Sequence, residues 1–114
     1  MSEIQVIAHF DIPEAQLDAF KAAAAKCMQS VREKDSGTLQ YDWHFSADMA
    51  GCTVIERYRD SAAVIEHVVN LGELLGEISA IANLTLDIYG TPSEELVAAT
   101  AGIDYGLHSP FQSI

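Results

Sequence analysis

Hydrophobic and polar residues alternate in four stretches of the chain, as expected for strands that bury one face. These stretches are residues 3–11, 38–46, 52–59 and 84–89. Two longer segments, 13–34 and 60–82, carry apolar residues at three- and four-residue steps instead, which predicts amphipathic helices. The predicted order is therefore strand, helix, strand, strand, helix, strand.

This order predicts an α+β fold of the ferredoxin-like βαββαβ type. In that fold four strands form one antiparallel sheet, and both helices pack on the same face. The length of 114 residues suits one domain, which we place at residues 1–90. Asp60 is a predicted N-cap for the second helix, and residues 70–72 are a predicted break within it.

The chain continues beyond this unit with a predicted short helix, residues 93–100, and a tail, residues 102–114. The tail is too apolar for a solvated linker. Its large apolar residues are Ile103, Tyr105, Leu107, Phe111 and Ile114. We expect residues 91–114 to pack on the domain or on a partner subunit.

The second and third strands predict a hairpin whose aromatic residues share the helix-covered face. Pairing their apolar positions, as burial of one face requires, sets the parity of the register. Leu39, the first apolar residue of the second strand, is expected on the same face as the aromatic side chains that follow it. In the simplest register Glu56 lies opposite Tyr41 and next to Trp43.

A carboxylate in this position is unexpected, because burying it costs several kcal/mol unless it is paired, hydrogen-bonded or protonated. His67 borders an apolar stripe of the second helix and is the natural candidate partner of Glu56. A Glu–His pair among aromatic rings is one way to prepare a proton acceptor, so both residues are candidate catalytic groups.

Purely structural roles for these residues stay open. Glu56 could reach solvent near the end of its strand and pair with a surface lysine, and His67 could cap the edge of the core. Tyr41 and Trp43 could be core packing, since aromatic residues on the buried face of a strand usually are.

Charge and cysteine content restrict the partners and the compartment. Seventeen acidic against six basic residues give a net charge of −11, which repels nucleic acid and acidic membrane surfaces. The first residues show no basic leader with a long apolar core, and no apolar run approaches the roughly 20 residues that span a bilayer. Cys27 and Cys52 are isolated, so a cytoplasmic protein with reduced cysteines is expected.

No metal site is expected. His9 and His44 lie on the opposite, polar face of the predicted sheet and could bind a metal ion together, but no ligand motif accompanies them.

Two segments resemble a known family. Gly37 opens the second strand in GTLQY, and ERYRDSAAVIEH then carries Glu56, Tyr58, Ala63 and His67. This glycine, glutamate, aromatic, alanine and histidine pattern is similar to the antibiotic biosynthesis monooxygenase (quinol monooxygenase) domain of the dimeric α/β barrel superfamily. The resemblance covers roughly residues 3–90.

The resemblance implies a homodimer with a pocket in each subunit between sheet and helices. It also implies oxidation of quinol-like or polycyclic phenolic substrates by molecular oxygen, without flavin, haem, metal or any other cofactor. On this basis Glu56 and His67 are expected to be catalytic, and Tyr41, Trp43 and Tyr58 to contact a small aromatic substrate.

Two other functions within the same superfamily stay open. Family members often follow the histidine with a Ser-Pro-His element, whereas this chain reads VVNLGELLGEI after His67. A non-catalytic dimeric module that binds a small molecule, or a stress-related protein, would fit that difference. A haem-degrading enzyme with His67 as axial ligand is the third candidate function, although the negative charge opposes an anionic porphyrin.

Overall fold

The computed structural model describes residues 3–114; Met1 and Ser2, which the predicted domain includes, lie outside the described part. The strands are Ile4–Asp11 (β1), Thr38–Phe45 (β2), Gly51–Tyr58 (β3), Asn83–Tyr89 (β4) and Tyr105–His108 (β5). The helices are Leu17–Lys34 (α1), Ser61–Leu71 (α2), Glu73–Ile81 (α3) and Glu94–Ala99 (α4), and a 3₁₀ turn, Glu14–Gln16, precedes α1.

The strands form one sheet in the order β2-β3-β1-β4-β5. The pairs β2–β3, β3–β1 and β1–β4 are antiparallel, and the helices cover one face, which confirms the predicted ferredoxin-like α+β fold. A fifth strand, β5, adds to the predicted four and runs parallel to β4. With only four residues, β5 is too short to show a periodic pattern in the sequence.

The hairpin of β2 and β3 has the predicted register. Tyr41 pairs with Glu56, and Trp43 pairs with Val54. The prediction for Leu39 is wrong, because the register shifts between Thr38 and Gln40. One extra residue in β2 leaves the ladder at this bulge, and the Leu39 side chain is 47% exposed instead of lying under the helices.

The core beneath the helices divides into two clusters. One surrounds Phe10 and Phe20, and the other surrounds Ile4 and Tyr58. Glu56 lies between them along β3, since Val54 belongs to the first cluster and Tyr58 to the second. The single polar residue on the inner face of β3 therefore sits where the two apolar clusters meet.

Helix α2 starts and ends as the sequence predicts. The Asp60 carboxylate accepts a hydrogen bond from the Ala63 amide at 2.9 Å, which confirms the N-cap. The predicted break is Gly72, whose φ of 52° separates α2 from α3. No helix among residues 3–114 is long and apolar enough to span a membrane.

Gly37 and Ala63 bring the start of β2 against the first turn of α2. A Cβ atom on Gly37 would lie 2.5 Å from the Ala63 Cβ. The Gly37 carbonyl also accepts a hydrogen bond from the Arg59 amide at 2.9 Å. The glycine and the alanine of the family pattern are thus two sides of one close contact.

We expect Gly37→Ala to lower the free energy of unfolding by about 1–3 kcal/mol, because the added methyl group overpacks this contact. Gly76→Ala is the matched control: it makes the same change in the middle of α3, where a Cβ meets nothing within 4 Å. The control should stabilise the protein by up to about 1 kcal/mol. Urea unfolding of both variants measures the difference, and equal effects would contradict the contact.

Candidate active site

A cavity of about 70 Å³ lies between the sheet and helices α2 and α3. Every residue predicted for the site lines it. These residues are Tyr41, Trp43, Glu56, Tyr58 and His67. Thr100 and Ile103, which follow α4, also contribute to the wall. The sequence pattern did not indicate these two, because nothing local reveals that the chain returns to the cavity after β4.

Glu56 is buried, with 7% of its surface exposed. The Tyr58 hydroxyl donates a hydrogen bond to Oε1 of Glu56. Burial raises the pKa of the Glu56 carboxyl, and the nearby His67 ring and the Tyr58 hydrogen bond oppose this shift without cancelling it. The neutral carboxyl, a proton donor, is therefore favoured relative to an exposed glutamate.

His67 is held by Asp35, which the sequence pattern did not indicate as a site residue. The His67 Nδ1 lies 2.8 Å from Oδ2 of Asp35, whose side chain is only 2% exposed. Asp35 also accepts hydrogen bonds from the Thr38 hydroxyl at 2.6 Å and the Asn70 amide at 2.9 Å. Burial acts to raise the pKa of Asp35, but these three hydrogen bonds outweigh it and lower the pKa.

An ionised Asp35 determines what His67 can do. The imidazole donates its Nδ1 proton to the carboxylate, which leaves the Nε2 lone pair on the cavity side. An aspartate that orients a histidine in this way also stabilises the imidazolium formed when Nε2 takes a proton. His67 thus has the arrangement of a general base.

Asp35 directly follows the predicted helical segment 13–34 and begins an Asp-Ser-Gly turn. It is the C-cap residue of that helix. A carboxylate there is electrostatically unfavourable, because the C-terminal end of a helix already carries partial negative charge. That mismatch was the one local signal that Asp35 has another role.

The expected pair of Glu56 and His67 is close but not hydrogen-bonded. Nε2 of His67 lies 3.9 Å from Oε1 of Glu56. Each residue makes its hydrogen bond elsewhere, His67 to Asp35 and Glu56 to Tyr58. A small oxygen-bearing group could therefore contact both an acid and a base at this place.

Aromatic rings enclose the pair. The rings of Tyr41 and Tyr58 lie 5.1 and 5.2 Å from the His67 ring. Burial and the charge of Glu56 raise the pKa of both tyrosines, so both stay neutral at physiological pH. Trp43 lies further along β2, edge-on to Tyr41 at 5.6 Å and stacked on Phe10 at 5.9 Å.

The outer face of the sheet holds a separate polar cluster. Asp87 contacts His9 at 3.3 Å and His108 at 2.9 Å. Within residues 3–114, no group of three or more histidine, cysteine, aspartate or glutamate side chains is arranged to hold a metal ion.

The chain matches one family model and several solved structures. The model of the antibiotic biosynthesis monooxygenase family matches residues 4–70. No curated protein matches the chain in sequence.

MupZ from Pseudomonas fluorescens is 23% identical, with a TM-score of 0.83, and the match covers 100% of this chain and 94% of MupZ. Rv0793 from Mycobacterium tuberculosis is 23% identical, with a TM-score of 0.71 and coverage of 82% and 98%. The structure of an antibiotic biosynthesis monooxygenase is 21% identical, with a TM-score of 0.67 and coverage of 75% and 94%.

The two buried carboxyl groups should give opposite pH dependence of stability. The pKa of Glu56 is raised in the folded protein. Its contribution to the free energy of unfolding is therefore present below the pKa of the unfolded chain, about 4.3, and is lost as pH rises through the folded pKa. Glu56→Gln stays neutral, so it should gain stability relative to the wild type with rising pH. Each pKa unit corresponds to about 1.4 kcal/mol.

Asp35→Asn is the control with the opposite sign. The pKa of Asp35 is lowered in the folded protein, so ionised Asp35 stabilises the wild type above about pH 3.9. This stabilisation is lost as pH falls through the folded pKa. This variant should therefore lose stability relative to the wild type with rising pH. Urea unfolding between pH 3 and 8 measures both, and curves parallel to the wild type would contradict the assignment.

Proposed function

Because the chain belongs to the antibiotic biosynthesis monooxygenase family, we propose that it is a cofactor-independent monooxygenase that oxidises a quinol-like phenol with molecular oxygen. His67 is the general base, Asp35 positions it, and Glu56 is the proton donor. Tyr41, Trp43 and Tyr58 contact the substrate ring.

One observation carries this proposal: an imidazole oriented by a buried aspartate faces a buried carboxyl group, the pKa of which is raised, in an apolar cavity. The two carboxyl groups beside the imidazole have pKa values shifted in opposite directions, raised at Glu56 and lowered at Asp35. Surroundings that separate the pKa values of neighbouring groups in this way are typical of acid–base sites. The cavity wall contains no lysine or arginine, so a bound phenol meets few charges other than those of the site itself.

The chemistry needs little more than these groups. His67 Nε2 removes the phenolic proton, and the resulting electron-rich ring reduces oxygen. One oxygen atom enters the ring, the other leaves as water, and the quinol becomes a hydroxyquinone as it supplies the electrons. The protein contributes a dry site, orientation and the base.

The size of the cavity favours a single-ring quinol over a polycyclic phenol. Its volume of about 70 Å³ is below the roughly 150 Å³ of an engineered cavity that admits benzene. Even one ring must therefore displace some of the covering side chains. Helices α2 and α3 form that cover and join at Gly72, the point at which their backbone changes direction.

A second candidate is an acid–base reaction that does not use oxygen. A neutral carboxyl is not required to deprotonate a phenol, and its presence beside an oriented histidine suits isomerisation or addition, in which one group gives a proton and the other takes one. A non-catalytic module that binds a small aromatic molecule would need neither a proton donor nor a base.

Haem degradation has less support. The haem propionates would find no lysine or arginine among the described residues that line the cavity.

Oxygen uptake with substituted hydroquinones, without added cofactor, tests the leading proposal. We expect turnover by the wild type and a fall of about 10²-fold in His67→Gln and in Glu56→Gln, the usual effect of losing a positioned proton-transfer group. The double variant should be no worse than the poorer single one, because the residues act as a unit. Substrate turnover under nitrogen would favour the acid–base reaction, and binding without turnover would favour the binding module.

We also propose that the protein is a cytoplasmic homodimer in which the tail, residues 102–114, contacts the partner. Cys27 and Cys52 are buried and unpaired, as suits a reducing compartment. Phe111 in the tail is 93% exposed, and Leu107 is half exposed. Exposed large apolar residues within one short segment are typical of an interface.

Light scattering at micromolar concentration should give about twice the 12.4 kDa mass of one chain. Phe111→Ser should shift the equilibrium toward the monomer, because it removes an apolar interface side chain. Val69→Ser removes another exposed apolar side chain, 71% exposed on α2; it is the control and should leave the mass unchanged. A monomer in the wild type would contradict the dimer, and an unchanged dimer in Phe111→Ser would contradict the role of the tail.

A further inference from the structure

The indole nitrogen of Trp43 has no hydrogen-bond partner. Among residues 3–114 it is the only side-chain nitrogen or oxygen that is buried without one. Leaving a buried donor unpaired costs the free energy of removing it from water, so such a group calls for an explanation. Trp43 lines the cavity, where a bound molecule can supply the missing acceptor.

The surroundings of Trp43 offer no other use for its N–H. Its ring packs against Phe10 and Phe20, which have no polar side-chain atoms. Tyr41 is a polar neighbour, and the two rings meet edge-on at 5.6 Å. Burial dominates and raises the pKa of the Tyr41 hydroxyl, and a small opposing effect comes from the Trp43 indole as a hydrogen-bond donor nearby. The geometry between the two groups is not that of a hydrogen bond, so the indole N–H is left without a partner.

The register of the hairpin determines how far this donor lies from the acid–base pair. Trp43 is two residues from Tyr41 on β2, and Tyr41 is directly opposite Glu56. Two residues of a strand span on the order of 7 Å. A ligand that reaches both places needs one oxygen at His67 and Glu56 and a second on the far side of its ring.

We propose that Trp43 is the specificity-determining donor of the cavity. It hydrogen-bonds an acceptor oxygen para to the hydroxyl group that His67 deprotonates. The ligand class is therefore a 1,4-dioxygenated ring, of which hydroquinone is the smallest member, rather than a phenol with one oxygen. This inference rests on the proposed function for the orientation of the ring, but it concerns binding and not oxidation.

Hydroquinone and 4-methylphenol form a matched pair of probes, because they differ by a hydroxyl against a methyl group of similar size. Binding is measured under nitrogen by calorimetry, so that no oxidation occurs. The wild type should bind hydroquinone about tenfold more tightly, the scale of one hydrogen bond to an otherwise unpaired donor. Trp43→Phe keeps an aromatic ring without the N–H, and it should bind the two probes equally.

The wild-type protein offers a second readout that does not depend on the variant folding. Trp43 is the only tryptophan of the chain, so its indole N–H gives one resonance in a ¹⁵N-labelled sample. Hydroquinone should shift that proton downfield by more than 4-methylphenol does. Without ligand, Tyr41→Phe should leave the chemical shift of this indole proton as it is in the wild type, because the N–H has no bond to Tyr41 to lose.

Three results would overturn the inference. The first is that the wild type binds both probes equally or binds neither. The second is that selectivity for hydroquinone persists in Trp43→Phe, and the third is that the indole proton of ligand-free Tyr41→Phe shifts from its wild-type position, which would make Tyr41 its hydrogen-bond partner. The outcome is distinguishable from that of the proposed function. Selective binding without oxygen uptake in air would uphold the role of Trp43 and reject the monooxygenase.

Discussion

The buried carboxyl group of Glu56 lies on the inner face of β3. Its burial is unfavourable, and the neighbouring polar side chains reduce that cost. Glu56 accepts the Tyr58 hydrogen bond and has a raised pKa. His67 lies 3.9 Å away but makes its own hydrogen bond to Asp35. Burial thus raises the pKa of Glu56, while the hydrogen bond to Asp35 orients His67.

The position of Glu56 could be predicted from the sequence because strand periodicity is strict. A shift of one residue would expose every apolar side chain of the hairpin, so the aromatic residues of β2 and the apolar residues of β3 permit one parity. That parity places Glu56 opposite Tyr41. The position of His67 followed in the same way from the apolar stripe of its helix. These inferences use only neighbours within one or two elements.

Asp35 could not be found by the same reasoning. Its contact with His67 depends on where the end of α1 meets the middle of α2, 32 residues later in the chain. The bulge that exposes Leu39 and the short parallel strand β5 are likewise set by tertiary contacts. The close approach of Gly37 to Ala63 belongs to the same group: the sequence shows both residues, but only the folded chain shows that they touch.

The cavity wall combines residues of the antiparallel sheet and its helices with residues from the C-terminal segment. Glu56 and His67 come from the central sheet and a helix packed on it, and Asp35 directly follows another such helix, so a substitution at any of them disturbs the core. Thr100 and Ile103 come from a segment that follows the last antiparallel strand. A substitution at Thr100 or Ile103 therefore changes part of the cavity wall without changing the elements that carry Asp35, Glu56 and His67. The C-terminal segment is thus the place at which the fit of the cavity to a ligand can be redesigned separately from its buried polar groups.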